Sequence, residues 1–198
     1  MKCKMWFLLA SLFLTLSSQA QVMPVTGLGT CVDFVTSAST TISGQVSVHP
    51  AARLYGLPPR YDPVTKNIYV PPYSCESWDV DGIYRTIGYL SHELGHWVVG
   101  NPNIAAPLTK AQFTEKMCAW EGAAIRNNGI GRNEVSAFTE GTVIIPLIAV
   151  DPSSMLALLG SGATDVQIGK EFCDTNPHSA GMTYTAYYSS YYDANYPW

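Results

Sequence analysis

The clearest periodic pattern in the chain lies between Asp81 and Val99, where apolar side chains recur at spacings of three and four residues. A stripe with this spacing predicts an amphipathic helix that turns one face toward a core. Gly100 and Pro102 follow directly, and both residue types are typical of the end of a helix. We therefore predict a helix from Asp81 to Val99. Its apolar stripe consists of Ile83, Ile87, Leu90, Leu94 and Val98.

A second helix is predicted to begin at Thr109, because Thr109 to Gln112 has the pattern of a capping box. Apolar residues follow at helical spacing, and Asn127-Asn128-Gly129 is a typical helix end. The helical positions are Phe113, Met117, Trp120 and Ala124. The chain therefore predicts two helices separated by a short loop.

The remaining segments predict a small sheet. Residues 40–48 and 66–70 have the composition of strands, the second ended by Pro71 and Pro72. Residues 50–63 contain several helix and strand breakers and predict a long loop. Residues 142–150 are apolar but too short to span a membrane, which makes them a core segment. Together these elements predict a single α+β domain.

The N-terminus has the pattern of a secretory signal peptide. Lys2 and Lys4 precede an apolar run over residues 6–16, and Ser18 and Ala20 form a small-x-small cleavage pattern. The run is too short to cross a bilayer comfortably, so no membrane span is predicted. We expect residues 1–20 to be removed and residues 21–198 to form one secreted or periplasmic domain, which we expect to be a monomer.

The charge of the chain limits its partners. The formal net charge is −4, and loss of Lys2 and Lys4 with the leader would make it more negative. An acidic protein is a poor match for nucleic acid or for an anionic membrane surface, and we expect neither as the main partner.

The cysteines indicate an oxidising compartment. Without Cys3 the chain retains Cys31, Cys75, Cys118 and Cys173. Four cysteines in an exported protein predict two disulfides, and the sequence does not separate the three possible connectivities. A buried free thiol remains an alternative for Cys118, which lies in an apolar stretch. The absence of a Cys-x-x-Cys pair argues against a cysteine-based zinc site.

The first predicted helix carries the motif His92-Glu93-Leu94-Gly95-His96. On a helix the spacing of His92 and His96 places both imidazoles on one face, where they can bind one zinc ion. Glu93 is then placed to act as a base on metal-bound water. The alternative is a packed histidine pair beside a surface glutamate.

A catalytic zinc ion held by two histidines needs a third protein ligand. The metzincin pattern would require Gly and His where the chain has Val99 and Pro102, which excludes it. The second helix offers Glu115 and Glu121. We favour Glu121, because the small residues 122–124 allow close helix packing and because it shares the apolar face. Glu115 is the alternative third ligand.

With these residues the chain resembles the gluzincin-type zinc metallopeptidase domains of secreted bacterial proteins and toxin-like effectors. The motif helix, Glu121-Gly-Ala-Ala-Ile-Arg-Asn-Asn and Arg132-Asn-Glu-Val carry the resemblance, which covers residues 62 to 135. It implies a zincin-like fold, in which a metal-binding helix and a glutamate helix pack beside a small twisted sheet. It also implies a peptide or protein substrate that is cleaved with the help of one zinc ion. The strand predicted at residues 66–70 would then line the substrate cleft. The alternative is that this strand is only an edge strand of the sheet.

The resemblance further implies that His92, His96 and Glu121 are metal ligands and that Glu93 is the catalytic glutamate. Other roles stay open. Candidates for stabilising the oxyanion are His178, Tyr184, Tyr187 and Tyr188, and candidates for orienting the histidines are Asp79, Asp81 and Glu134. A different class of function, a secreted disulfide-stabilised binding or adhesion module with a structural or absent metal, also fits the composition. A fourth protein ligand would favour that alternative.

Overall fold

The chain folds into helices and a small sheet in the computed structural model, which describes residues 23–75, 79–104 and 107–196. Over these residues the helices are α1 (Thr30–Thr36), α2 (Thr40–Val48), α3 (Val80–Val99), α4 (Lys110–Phe138), α5 (Pro152–Gly160), α6 (Asp165–Thr175) and α7 (Tyr184–Asn195). The strands are β1 (Arg53–Tyr55), β2 (Arg60–Tyr61) and β3 (Ile68–Val70). The predicted α+β class is confirmed, whereas the predicted leader, residues 1–20, lies outside the described residues. None of the described helices has the length and apolarity needed to cross a membrane.

The sheet has the order β1-β3-β2, with β3 parallel to β1 and antiparallel to β2. The strand predicted at residues 66–70 is confirmed as β3. Its buried Ile68 and Val70 lie in the core, so β3 is the central strand and the edge-strand alternative is wrong. The prediction of a loop over residues 50–63 is wrong in part, because these residues contain both β1 and β2. Both strands form backbone hydrogen bonds to β3, a distant segment that a local sequence pattern does not reveal.

The prediction of a strand at Thr40–Val48 is wrong, because this segment is helix α2. The side chain of Ser39 caps the helix by accepting a hydrogen bond from the Ile42 amide. The Glu134 carboxylate of α4 accepts further hydrogen bonds from the first turn, including one from Ser39. Ile42 and Val46 lie one turn apart and are both buried. The local cap, the Glu134 contact and the burial of one helix face together outweigh the β propensity of the threonines and valines.

Helix α3 matches its prediction closely. It begins after Asp79, whose side chain accepts a hydrogen bond from the Gly82 amide, and ends at Gly100, which has a φ of 74°. Val98 is 54% exposed and does not belong to the buried stripe. The buried members of the stripe are Ile83, Ile87, Leu90 and Leu94.

Helix α4 begins at the predicted capping box but does not end at residues 127–129; it continues to Phe138. The amide of Asn128 is buried within the helix and bonds to neighbouring elements. It donates to Ser91 Oγ on α3 at 2.8 Å and accepts from the Ile148 amide at 2.8 Å. Because the Asn128 side chain forms hydrogen bonds to α3 and to the segment around Ile148, it does not cap the end of α4.

Small residues bring the helices into close contact. A Cβ atom added to Gly95 on α3 would lie 2.7 Å from the Cα atom of Ala124 on α4. Gly122 has a different role from the one predicted, because an added Cβ there would lie 2.0 Å from the Asp165 carbonyl oxygen on α6. Helix α4 is therefore packed tightly between α3 and α6, and Glu121 lies beside the motif helix.

Both predicted disulfides are present, and they join Cys31 to Cys75 and Cys118 to Cys173. The free-thiol alternative for Cys118 is therefore wrong. The second bond links α4 to α6. Two disulfides are compatible with an extracellular protein. The segment at residues 142–150 contributes Ile145 and Leu147 to the buried core, as expected of a core segment.

Candidate metal centre

Three predicted ligands converge between α3 and α4. His92 and His96 lie one turn apart on α3, and Glu121 faces them from α4. The Nε2 atom of His92 lies 3.5 Å from Glu121 Oε2, and that of His96 lies 3.3 Å from the same oxygen. All three residues are buried. Glu115 is exposed and lines a different cavity, so it does not join this group.

The spacing of these atoms fits a metal ion. Zinc bonds to histidine nitrogen and carboxylate oxygen are about 2.1 Å long, which places tetrahedral ligand atoms about 3.4 Å apart. The observed separations of 3.5 and 3.3 Å agree with this value. A ligand atom from each of the three residues lies within 4.8 Å of the others. The buried group formed by His92, His96 and Glu121 could therefore hold a metal ion.

Aromatic side chains fix the two imidazole rings. The His96 ring lies 4.0 Å from the Trp120 ring, and the His92 ring lies 5.9 Å from Phe172, measured between centroids. Neither Nδ1 atom has a hydrogen-bond partner among the described residues. Among the described residues, the imidazoles are therefore held by ring packing and by the Glu121 carboxylate at Nε2, with no carboxylate at Nδ1.

The acidic residues predicted to orient the histidines lie elsewhere. Asp79 caps the start of α3, and Asp81 is exposed in its first turn. Glu134 accepts hydrogen bonds from residues 39–41. Burial raises the pKa of Glu134, but these hydrogen bonds outweigh burial and hold the pKa below its usual value. The structure therefore corrects all three predictions.

Tyr188 on α7 contacts Glu121, the third member of the candidate metal group. Its hydroxyl donates a hydrogen bond of 2.5 Å to Glu121 Oε1, the oxygen that does not face the histidines. Burial acts to raise the pKa of Glu121, but His96 and His92 hold it well below its usual value. Tyr188 is itself buried, and its pKa is raised by burial and by Glu121. The carboxylate is thus kept ionised, with one oxygen held by Tyr188 and the other facing the two imidazoles.

Sequence reasoning did not predict this contact. Tyr188 was a candidate for stabilising an oxyanion, but its hydroxyl is engaged by Glu121. The chain places several tyrosines in its C-terminal segment, and nothing in their spacing distinguishes the one that reaches the metal ligand.

Tyr188→Phe should weaken metal binding by about 10- to 100-fold, the usual range for loss of a partner that orients a ligand. The ring keeps its packing, but Glu121 Oε1 loses its donor and the carboxylate is free to turn. Competition with a chelating dye measures the affinity. Tyr192→Phe is the matched control, because it removes a hydrogen bond from the same helix to the Leu108 carbonyl. Equal affinities in the two variants would contradict the role of Tyr188.

Glu93 lies beside the metal ligands and is buried on α3. Burial raises its pKa to about 7, while the neighbouring His92 acts in the opposite direction. The backbone of Tyr61 and the charge of Arg60 also lower the pKa of this carboxyl group. The side chain therefore lies beside the candidate metal group in an environment where it can both accept and release a proton near neutral pH.

The group lies in a cavity of about 720 Å³. His178, Tyr184, Tyr187 and Tyr188, all considered in the sequence, line this cavity together with Glu93 and the metal ligands. Strand β3, predicted to line the cleft, does not reach it. Residues 58–61, which include β2, form that wall instead. The cavity is large enough for a small ligand or a peptide segment.

Comparisons of the chain with protein-family models, curated proteins and solved structures found no match. Its function is therefore inferred from the residues and the geometry of the site.

Proposed function

We propose that the protein is a zinc-dependent metallopeptidase of the gluzincin type, with a zincin-like arrangement of α3 and α4. The observation that carries the proposal is the convergence of His92 Nε2, His96 Nε2 and Glu121 Oε2 beside Glu93 in one cavity. Two imidazoles and a carboxylate are a ligand set of catalytic zinc sites. Glu93 occupies the position of the general base in the same helical motif.

The ligand number favours catalysis over a structural role. Structural zinc sites are closed by four protein ligands, whereas catalytic sites use three and leave a position for water or substrate. Within the described residues the candidate group has three members. The cavity that adjoins it provides room for a substrate, which a structural zinc site in a binding module would not require.

When bound, zinc supplies Lewis acidity, which lowers the pKa of a coordinated water toward neutrality and polarises a carbonyl group. Glu93 accepts the proton of the attacking water and donates it to the leaving amine. Glu121, fixed by Tyr188, and the two packed imidazoles keep the ligand atoms in place. His178, Tyr184 and Tyr187 remain the candidate donors to the developing oxyanion, since all three line the cavity.

Strand β2 is the natural place for the substrate backbone. It is an edge strand of the described sheet, and its residues Arg60 and Tyr61 line the cavity. An extended peptide that pairs with such an edge gains main-chain hydrogen bonds, while side chains enter the neighbouring pockets. We expect the substrate to bind between β2 and α3.

Metal removal tests the proposal directly. The purified protein should contain about one zinc ion per chain, as expected for a site of this ligand set. Treatment with a chelator should abolish hydrolysis of a denatured protein substrate, and stoichiometric zinc should restore it. Mass spectrometry of the metal and of the cleavage products gives both readouts. Full activity in metal-free protein would contradict the proposal, and bound zinc without any hydrolysis would favour a structural metal.

A further inference from the structure

The rim of the cavity carries two arginines, Arg60 from β2 and Arg85 from α3. Both are exposed, and neither takes part in an ion pair within the described ranges. The acidic residues that line the cavity are Glu93 and Glu121, both buried at the metal centre. Among the described residues, the outer part of the site therefore presents two guanidinium groups that form no direct ion pair.

The other arginines of the chain are already engaged. Arg126 pairs with Asp165, and Arg53 and Arg132 donate to backbone carbonyl oxygens. Arg60 is held in place but keeps its charge available, because its guanidinium lies 3.9 Å above the Tyr69 ring and donates one hydrogen bond to the Pro58 carbonyl. Arg60 and Arg85 differ from the other three arginines because their side chains line the cavity.

The charge of the cavity with a bound metal ion also favours an anionic ligand. A divalent cation would be offset by Glu121 and, when it is ionised, by Glu93, which leaves Arg60 and Arg85 as the cationic side chains of the cavity lining. Asp62, which feels the charge of Arg60, and Asp81, one turn before Arg85 on α3, do not line the cavity. The protein as a whole has a formal net charge of −4, so this local positive field does not follow from its composition. Such a field raises the local concentration of anionic ligands.

Helical geometry gives the distance of Arg85 from the reacting centre. Arg85 precedes His92 by seven residues, close to two full turns, so the two lie on the same face of α3. At 1.5 Å per residue the separation along the helix is about 10 Å, which equals the length of about three residues of extended peptide.

We propose that Arg85, assisted by Arg60, binds a carboxylate of the peptide substrate about three residues from the scissile bond. This inference rests on the proposed peptidase function. The carboxylate can belong to an aspartate or glutamate side chain, or to the C-terminus of the peptide. Arginine suits either source, because its planar guanidinium can form two parallel hydrogen bonds to one carboxylate.

A binding experiment tests the site without requiring activity. The zinc-loaded Glu93→Gln protein is titrated with acetylated, amidated hexapeptides of Ala and Leu, in which one Glu is moved through all positions. Each peptide is matched by its Gln counterpart, and a Gln peptide with a free C-terminus forms the second arm. Binding is followed through the intrinsic tryptophan fluorescence, to which Trp120 contributes from the wall of the cavity.

We expect one Glu position, or the free C-terminus, to improve affinity by about fivefold at low ionic strength, as is typical of an exposed ion pair. Added salt should reduce this gain. Arg85→Gln should abolish it, and Arg60→Gln should reduce it. Lys66→Asn is the charge-matched control, because Lys66 is exposed, lies outside the cavity and has a φ of 60° that asparagine tolerates. Absence of any carboxylate-dependent binding, or its persistence in Arg85→Gln, would overturn the inference.

A cleavage profile separates this inference from the proposed function. A peptide library is incubated with wild-type protein and with the Glu93→Gln, Arg85→Gln and Lys66→Asn variants. Sites whose cleavage depends on Glu93 should be enriched in acidic residues or in nearby C-termini, and Arg85→Gln alone among the charge variants should lose that enrichment. Glu93-dependent cleavage without enrichment would overturn the carboxylate site only. Carboxylate-dependent binding without any cleavage would overturn the peptidase function and leave the binding site standing.

Discussion

Glu93→Gln should lower the rate of peptide hydrolysis by about 10²- to 10⁴-fold, the usual contribution of a general acid–base group. The amide has nearly the same shape as the carboxylic acid but cannot accept the proton of the attacking water. Glu93 is next to the ligands without contributing an atom to the candidate metal group, so the zinc content should be unchanged. Single-turnover assays on a cleaved peptide, together with metal analysis of the same sample, measure both quantities.

Two controls make this result specific. Circular dichroism of Glu93→Gln should match that of the wild type, because α3 is held by its buried stripe and not by this carboxyl group. Peptide affinity should change less than the rate, since Glu93 acts on the proton and not on the peptide. A variant that still cleaves at the wild-type rate would remove Glu93 from the mechanism.

Glu121→Gln should weaken zinc binding by at least about 100-fold, because a neutral amide replaces the anionic ligand of a site that otherwise has only two imidazoles. The effect should be larger than that of Tyr188→Phe, which leaves the ligand atom in place. Hydrolysis should fall in parallel and recover in part at high zinc concentration. Titration with a chelating dye gives the affinity, and the rate is measured at each zinc concentration.

Glu115→Gln is the matched control for this change. Glu115 lies on the same helix, carries the same charge and is exposed outside the cavity. It should retain the wild-type zinc affinity and rate. If Glu115→Gln lost the metal and Glu121→Gln kept it, the third ligand would have been assigned to the wrong glutamate. If both variants kept the metal, the ligand set would include neither Glu115 nor Glu121.

The parts of the structure that the sequence predicted depend on local patterns. The stripe of α3, its end at Gly100 and the capping box of α4 each involve residues within one or two turns. The spacing of His92 and His96 is also local, because a helix of known period fixes which face they share. Glu121 could be favoured over Glu115 because an inward-facing carboxylate on a helix with small neighbours was the better candidate for a buried partner.

The parts that were not predicted depend on contacts between distant segments. The Glu134 carboxylate accepts a hydrogen bond from Ser39 at the start of α2, in addition to the local cap that Ser39 provides. On α4, the Asn128 side chain bonds to α3 beyond the residues at which the helix is predicted to end. The hydrogen bond from Tyr188 to Glu121 joins residues that are 67 positions apart. Strand β2 has only two residues, too few for a periodic signal, yet it forms a wall of the cavity. None of these interactions leaves a repeating pattern in the chain.

The disulfide between Cys118 and Cys173 lies beside the candidate metal group. Cys118 precedes Glu121 by one turn, and Cys173 directly follows Phe172, whose ring contacts His92. The bond closes a loop between residues 55 positions apart and so restricts the unfolded chain. The disulfide therefore joins the helix that carries Glu121 to the helix whose Phe172 ring packs against His92. In the proposed metallopeptidase, this covalent link would hold the two sides of the candidate metal group together in the metal-free protein.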